Sequence, residues 1–259
     1  MPEILEIETY RRLAEKVVGR VVAEVVAPDQ WYLKGGVTPQ DLVENLVNRR
    51  FTRARRIGKL LLLDSGGPTL GLRFGMTGRL FVDGQPAVEE LEWGIRRVDP
   101  AWHCFSIRFK SGGELQINDP RRFGGVELGP EETKLGPDAW TIEINDLRQI
   151  FSNSSTALKA RLLDQSRIAG LGNLLVDEIC WRSQLDPRRS SDSLEDEEIK
   201  VLKKTIRQVL NQLDKRGGSH TGDLFEFRSP GGTCPLDNEP LRRSKVGGRT
   251  TWWCPLHQR

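Results

Sequence analysis

Three places in the 259-residue chain hold reactive side chains at spacings that can do chemistry. The first is the start, Met1, Pro2 and Glu3, with Glu6 close behind. Proline at the first helical position followed by acids is an ordinary helix beginning, because its missing N–H would be unpaired there and the carboxylates face the positive end of the dipole. The same residues have a chemical use. Removal of Met1 exposes Pro2 as a secondary amine with a pKa of about 8, roughly a tenth of it neutral at pH 7, where a lysine at about 10.4 is neutral in well under a thousandth. Such an amine attacks a sugar aldehyde carbon, and the resulting charged imine is an electron sink that lets an adjacent phosphate leave. Glu3 stands where it can move protons for that chemistry.

The second place lies at the other end. Cys234, two residues, Asp237, sixteen residues, Cys254, two residues, His257 has the paired-ligand spacing of a zinc ribbon. Two thiolates, one carboxylate and one imidazole make a sound zinc set, harder than four thiolates. A ribbon that has lost its metal and survives by packing Trp252 and Trp253 is the alternative. Cys104 and Cys180 fall in strand and helix patterns and read as buried thiols. The third place is Gly170-Leu171-Gly172-Asn173, a tight turn between helices. Such hairpins are common scaffolding, yet a helix beginning at Asn173 offers N–H groups and an amide side chain to a phosphate, with Lys159 one helix earlier able to share the work. A basic run, Arg49, Arg50, Arg53, Arg55, Arg56 and Lys59 without an intervening acid, either draws a polyanion or is a solvated turn.

The elements that must position these groups follow from periodicity. Ile4, Ile7, Leu13 and Val17 predict an amphipathic helix closed by Gly19. The period then changes to two: 21–26, 60–63, 70–74, 80–82, 105–109 and 114–117 predict short strands, the last two joined by a hairpin at Ser111-Gly112-Gly113. Residues 1–128 are expected to form a β-sandwich with a leading helix. A linker over 129–145 carries Pro130, Gly136 and Pro137. Helical spacing at 147–151, 157–163, 174–181 and 194–213 places a helical domain over 146–228. The acids Glu195 to Glu198 read as its last helix start rather than a binding tail. Residues 229–259 suit a small ribbon held by metal. The expected class is α+β.

Composition narrows the function. At 37% hydrophobic and 29% charged residues, with seven Trp, nine Phe and a net charge of only +3, the chain is expected to fold rather than stay disordered. The longest aliphatic stretch, 60–63, is far below the roughly 20 residues of a membrane span, so no membrane partner is expected. The first twenty residues lack the apolar core of a secretory signal. Four Cys without a dense framework argue for a reducing compartment, and the cytoplasm is the expected location.

Read end to end, the chain resembles the formamidopyrimidine-DNA glycosylase and endonuclease VIII family of base-excision repair enzymes. The likeness rests on MPEILEIE, RARRIGKLLLLD, LRFGMTGRL, NDPRRFGG, the GLGN turn, and TCPLDNEP followed by GGRTTWWCPLH. The resemblance implies Pro2 as catalytic amine, Glu3 as acid/base for opening deoxyribose, Glu6 as a supporting carboxylate, and Lys59 as a lysine on DNA phosphate near the lesion. It implies Met76, Arg121 and Phe123 as the trio that fills the gap left by a flipped nucleotide. Asn173 would be the phosphate-binding residue of a helix-two-turns-helix motif, and Arg249 the ribbon's DNA-contacting arginine. Unstacking a nucleotide costs a few kcal/mol, which an apolar wedge and backbone contacts offset.

Four departures stand out. Leu5 replaces a usual proline, Arg73 a usual histidine three residues before the wedge methionine, and Asp237 and His257 two usual cysteines. Only fifteen residues, 219–233, separate Gly218 from the ribbon, so the loop that closes over 8-oxoguanine is short. The resemblance implies a bifunctional glycosylase and β,δ-lyase acting as a monomer, with zinc, on duplex DNA bearing oxidised purines, formamidopyrimidines or abasic sites. Oxidised pyrimidines or hydantoins are the alternative substrates, and a non-catalytic damaged-DNA-binding protein the alternative class.

Overall fold

In the computed structural model, which describes residues 2–88, 99–152 and 154–259, the chain opens with helix α1 (Ile4–Ala14). Its start is a reciprocal capping box: Glu6 Oε2 accepts the Glu3 backbone N–H at 2.8 Å while the Glu3 side chain accepts the Glu6 N–H. The α-helix ends three residues earlier than the apolar pattern predicts, and a 3-10 turn (Glu15–Val17) carries the chain to Gly19 at φ +87°.

The first unit (Met1–Glu132) holds nine strands and a second helix among its described residues. They are β1 (Val22–Val26), α2 (Pro39–Leu46), β2 (Arg53–Ile57), β3 (Leu60–Asp64), β4 (Leu70–Arg73), β5 (Arg79–Val82), β6 (Gln85–Pro86), β7 (His103–Phe109), β8 (Glu114–Asn118) and β9 (Gly125–Leu128). Two antiparallel sheets result, in the orders β1-β7-β8-β5-β6 and β2-β3-β4-β9. Alternate residues of both, Val22, Ile107 and Ile117 from one and Leu61, Leu72 and Val126 from the other, share one apolar cluster with Ile7 and Tyr10 of α1. That shared core makes the pair a sandwich. Each fully buried Leu or Ile contributes about 1.5–3 kcal/mol.

The basic run turns out to contain β2, which periodicity did not show because four of its residues are Arg or Ala. Two of its charges are engaged in ion pairs. Arg55 bonds Asp64 at 2.8 Å and Glu132 at 2.6 Å, and Arg56 meets Glu8 at 3.2 Å. Residues 53–57 are therefore a strand in which Arg55 and Arg56 are pinned by ion pairs, while Arg49, Arg50 and Arg53 are exposed. Helix α2, capped by Thr38 and Asp41, and strands β6 and β9 are further elements the apolar pattern missed.

The second unit (Thr133–Arg259) contains α3 (Ile144–Phe151), α4 (Leu158–Leu163), α5 (Asn173–Arg182), α6 (Asp196–Arg216) and the hairpin β10 (Arg242–Val246) with β11 (Arg249–Trp253). Its boundary falls inside the stretch read as a linker, and helices and ribbon share the one unit. A capping box between Glu195 and Glu198 starts α6, and Gly217 in the left-handed region (φ +109°) ends it. Residues Leu174 to Trp181 of α5 are all buried, packed by α4, α6 and β11. Among the described residues no helix is long and apolar enough to cross a membrane.

Candidate functional site

The head of α1 is built from buried polar groups. Pro2 is buried, and Glu3 and Glu6 are 1% and 4% exposed, so the capping box sits inside the unit rather than at its surface. One turn further, Glu8 accepts bonds from Arg11 at 2.9 Å and Arg56 at 3.2 Å. Burial alone would raise the Glu8 pKa, but the two guanidinium groups hold it below the usual carboxylate value. Arg56 also donates to Gly58 O at 3.1 Å, which fixes the β2–β3 turn against the helix. Half-buried Lys59 stands on that turn. Arg56 thus links α1 to the turn that carries the lysine.

Met76 lies half-buried in the turn between β4 and β5, and Arg121 and Phe123 are exposed on the loop between β8 and β9. The two segments touch backbone to backbone, since a Cβ on Gly75 would fall 2.5 Å from the Phe123 carbonyl carbon. Only glycine, here at φ +56°, permits that approach. Phe123 is 59% exposed and the Arg121 guanidinium carbon lies 4.8 Å from its ring centroid. The ring is thus held in solvent beside a cation rather than packed in the core. Tyr10, its phenol kept protonated by burial and by nearby Glu6, donates to Gly78 O at 2.9 Å and ties the Met76 turn to α1. Arg73 remains half-exposed but pairs with Glu127 at 2.7 Å.

In the second unit Gly170, at φ +116°, and Gly172 lead into α5 with Asn173 as its first residue. Gln165, which the sequence reading passed over, shapes this turn by accepting from Gly170 N at 3.0 Å and donating to Leu171 O at 2.9 Å. The Asn173 Oδ1 atom is buried and has no hydrogen-bond partner. Lys159 requires a correction. It is 0% exposed and its ammonium bonds Asp177 Oδ1 at 2.6 Å and Thr250 O at 3.0 Å, so it cannot reach a phosphate. Burial pulls its pKa down, partly offset by Asp177. Asp177 also accepts from Arg228 at 2.8 Å and from Trp252 N at 3.4 Å, which makes the pair the fastening between α4, α5 and β11. Arg249 is exposed at the start of β11.

The four ribbon residues do converge. One ligand atom from each of Cys234, Asp237, Cys254 and His257 lies within 4.8 Å of the others. Cys254 Sγ is 3.4 Å from Asp237 Oδ2, Cys234 Sγ 3.8 Å from His257 Nδ1, and Asp237 Oδ2 2.6 Å from that nitrogen. Tetrahedral zinc with bonds of about 2.0–2.3 Å separates its donors by about 3.3–3.8 Å, so the set fits that ion after a small spread. The Trp181 indole N–H donates to Cys234 Sγ at 3.2 Å, a bond that suits a thiolate ligand.

The chain is similar to known proteins along its whole length. Residues 1–126 match the model of the formamidopyrimidine-DNA glycosylase N-terminal domain, and residues 134–223 that of its H2TH domain. A formamidopyrimidine-DNA glycosylase of Ruegeria pomeroyi is 32% identical over 293 residues, and one of Cereibacter sphaeroides 35% over 291, each covering 100% of both chains. Among solved structures, the Lactococcus lactis Fpg with an abasic site containing DNA superposes with a TM-score of 0.82 at 26% identity, covering 99% of both chains. MutM in complex with carbocyclic 8-oxo-G containing DNA gives a TM-score of 0.84 at 25% identity over 100% of both chains. With both domain models matched in chain order and full-length relatives above 30% identity, the chain belongs to the formamidopyrimidine-DNA glycosylase and endonuclease VIII family, as a DNA glycosylase of the formamidopyrimidine type.

Proposed function

We propose that the chain excises oxidised bases from duplex DNA and then cuts the strand at the abasic sugar, with the Pro2 amine as nucleophile. The observation that carries this reading is the burial of two carboxylates, Glu3 and Glu6, interlocked at the head of α1 beside that proline. An exposed Ser or Asp would cap the helix as well, so burying two acids there serves something other than capping. In the proposed path the Pro2 nitrogen bonds C1′ as the base departs, and Glu3 delivers the proton that opens the sugar ring, leaving a charged imine. Loss of a C2′ proton then expels the 3′ phosphate, and a second elimination expels the 5′ phosphate. Glu6 holds Glu3 in place. Met76 and Phe123 fill the gap left by the flipped nucleotide while Arg121 hydrogen-bonds the orphaned base. Lys59, Arg73, Asn173 and Arg249 take backbone phosphates.

Cys234, Asp237, Cys254 and His257 would hold one structural zinc, which when bound cross-links the two ends of the β10–β11 hairpin. We place the working parts as a catalytic sandwich (1–128), linker (129–145), helix-two-turns-helix domain (146–228) and ribbon (229–259). The chain acts as a monomer, one copy per lesion, in the cytoplasm. Oxidised purines and formamidopyrimidines are the primary substrates. One observation favours oxidised pyrimidines or hydantoins instead: the short segment after α6 is tied down, with Asp223 N and Leu224 N donating to Glu178 at 3.0 and 2.9 Å. So little slack suits a small lesion pocket better than a closing loop.

Borohydride reduction during incubation with an abasic duplex tests the chemistry. A covalent complex with the wild type, absent from Pro2→Gly and from protein retaining Met1, is the expected result. Strand cutting by protein that keeps Met1 overturns it. Parallel assays on 8-oxoguanine and thymine glycol duplexes decide between the substrate classes.

A further inference from the structure

We infer that the buried Asp119 carboxylate is the positioning residue that fixes Met76, Arg121 and Phe123 as one rigid wedge, an inference that rests on the strand-entering role proposed for that trio. Asp119 directly follows β8 and is 0% exposed. Its Oδ1 accepts from the Thr77 hydroxyl at 2.5 Å and from Arg121 N at 3.3 Å, and its Oδ2 from Gly124 N at 2.9 Å. Thr77 is the neighbour of Met76, and Gly124 the neighbour of Phe123. A single carboxylate therefore binds both segments that carry the wedge.

The backbone is set by the same residue. Asp119 O accepts from Arg122 N at 3.2 Å, and Arg122 adopts φ +55°, a left-handed conformation that a side chain other than glycine keeps only when its surroundings enforce it. Arg122 is held from its other end by Asp29 at 3.2 Å. That reversal leaves Arg121 and Phe123 stacked in solvent on either side of it. A buried carboxylate is unfavourable unless several donors satisfy it. Donors from Thr77, Arg121 and Gly124 do so here, with the Tyr32 hydroxyl as a further neighbour of the carboxylate, and those three lie on the segments that carry the wedge.

Asparagine has the same shape but only one acceptor oxygen, so Asp119→Asn must leave a donor of one segment facing an amide NH2. The test compares two reactions: single-turnover base release from an 8-oxoguanine duplex, which needs the nucleotide pushed out of the stack, and cleavage of a preformed abasic duplex, which needs it far less. A 2-aminopurine beside the lesion reports unstacking. Expected is a fall of roughly 100-fold in base release for Asp119→Asn, as for an ångström-scale misplacement, with unstacking slowed in step and abasic cleavage falling much less. Thr77→Val shifts the same ratio in the same direction and Thr77→Ser restores it, which keeps the test open if Asp119→Asn folds poorly. Equal losses in both reactions, or no loss in either, from variants that melt at the wild-type temperature overturn the assignment. A wild type that fails on the abasic duplex overturns the proposed function instead.

Discussion

The two chemically richest regions stand at opposite ends of the chain and are held in opposite ways. The head of α1 rests on a large apolar cluster that takes in both sheets of the sandwich, with Ile7, Tyr10 and Ala14 of the helix within it. The ribbon rests on a small one, Trp181, Leu224, Cys234, Leu241, Trp252 and Cys254, two of whose members are also candidate metal ligands. A core of the first kind positions its reactive groups whether or not anything is bound. One of the second kind takes its order from four converging donors and from the Lys159–Asp177 fastening. Removing a reactive group from the first region should abolish chemistry and spare the fold; the same operation on the second should loosen structure and spare chemistry.

The largest expected effect tests the first half of that contrast. Pro2→Gly lowers borohydride trapping on abasic DNA at least about a thousandfold, the scale of losing a nucleophile, with an unchanged melting temperature. A large fall in melting temperature would place the terminal proline in the scaffold and erase the contrast. Next, Lys159→Met destabilises the second unit by about 3 kcal/mol in urea unfolding, because Asp177 is left buried with Arg228 as its remaining cation. The double variant with Asp177→Leu recovers part of that loss if the unpaired charge is its cause. Chelation of the ribbon lowers duplex affinity by roughly 10- to 100-fold while the β-sheet circular dichroism of the sandwich persists. Cooperative loss of both signals would show the ends to be less independent than their cores. Smallest is Arg249→Ala, which weakens binding to all sequences alike and flattens the slope of log affinity against log salt by about 0.9, one phosphate contact.

What the sequence displayed and what it hid divide along chain distance. Pro2, Glu3 and Glu6 announce themselves because a proline followed by acids is a local pattern, although the helix begins only at Ile4 and leaves Pro2 before its cap, and the ribbon because its ligand pairs straddle two residues each. Lys159 was misread because its partner Asp177 lies eighteen positions on, and a lysine with no local partner near a glycine turn reads as a phosphate contact. Strand β2 was hidden for the same reason, since the acids that quiet its arginines, Glu8, Asp64 and Glu132, come from α1, the end of β3 and beyond β9. Asp119 sat inside a recognised motif yet drew no role, because the hydroxyl it holds is 42 residues earlier. Periodicity and spacing register local bonding; charges and acceptors whose partners are distant need the folded chain.

The fastening of α4 and α5 to β11 carries a practical warning for anyone wishing to trim the protein. Stopping the polypeptide before its final hairpin would strip Thr250 O from the Lys159 ammonium and Trp252 N from the Asp177 carboxylate. Water would be admitted to a salt link that is now sealed at 0% exposure on both sides. A shortened version should therefore behave as a damaged helical unit rather than as the intact one minus an accessory, and the DNA contact proposed for the ribbon is better tested by side-chain replacement than by deletion.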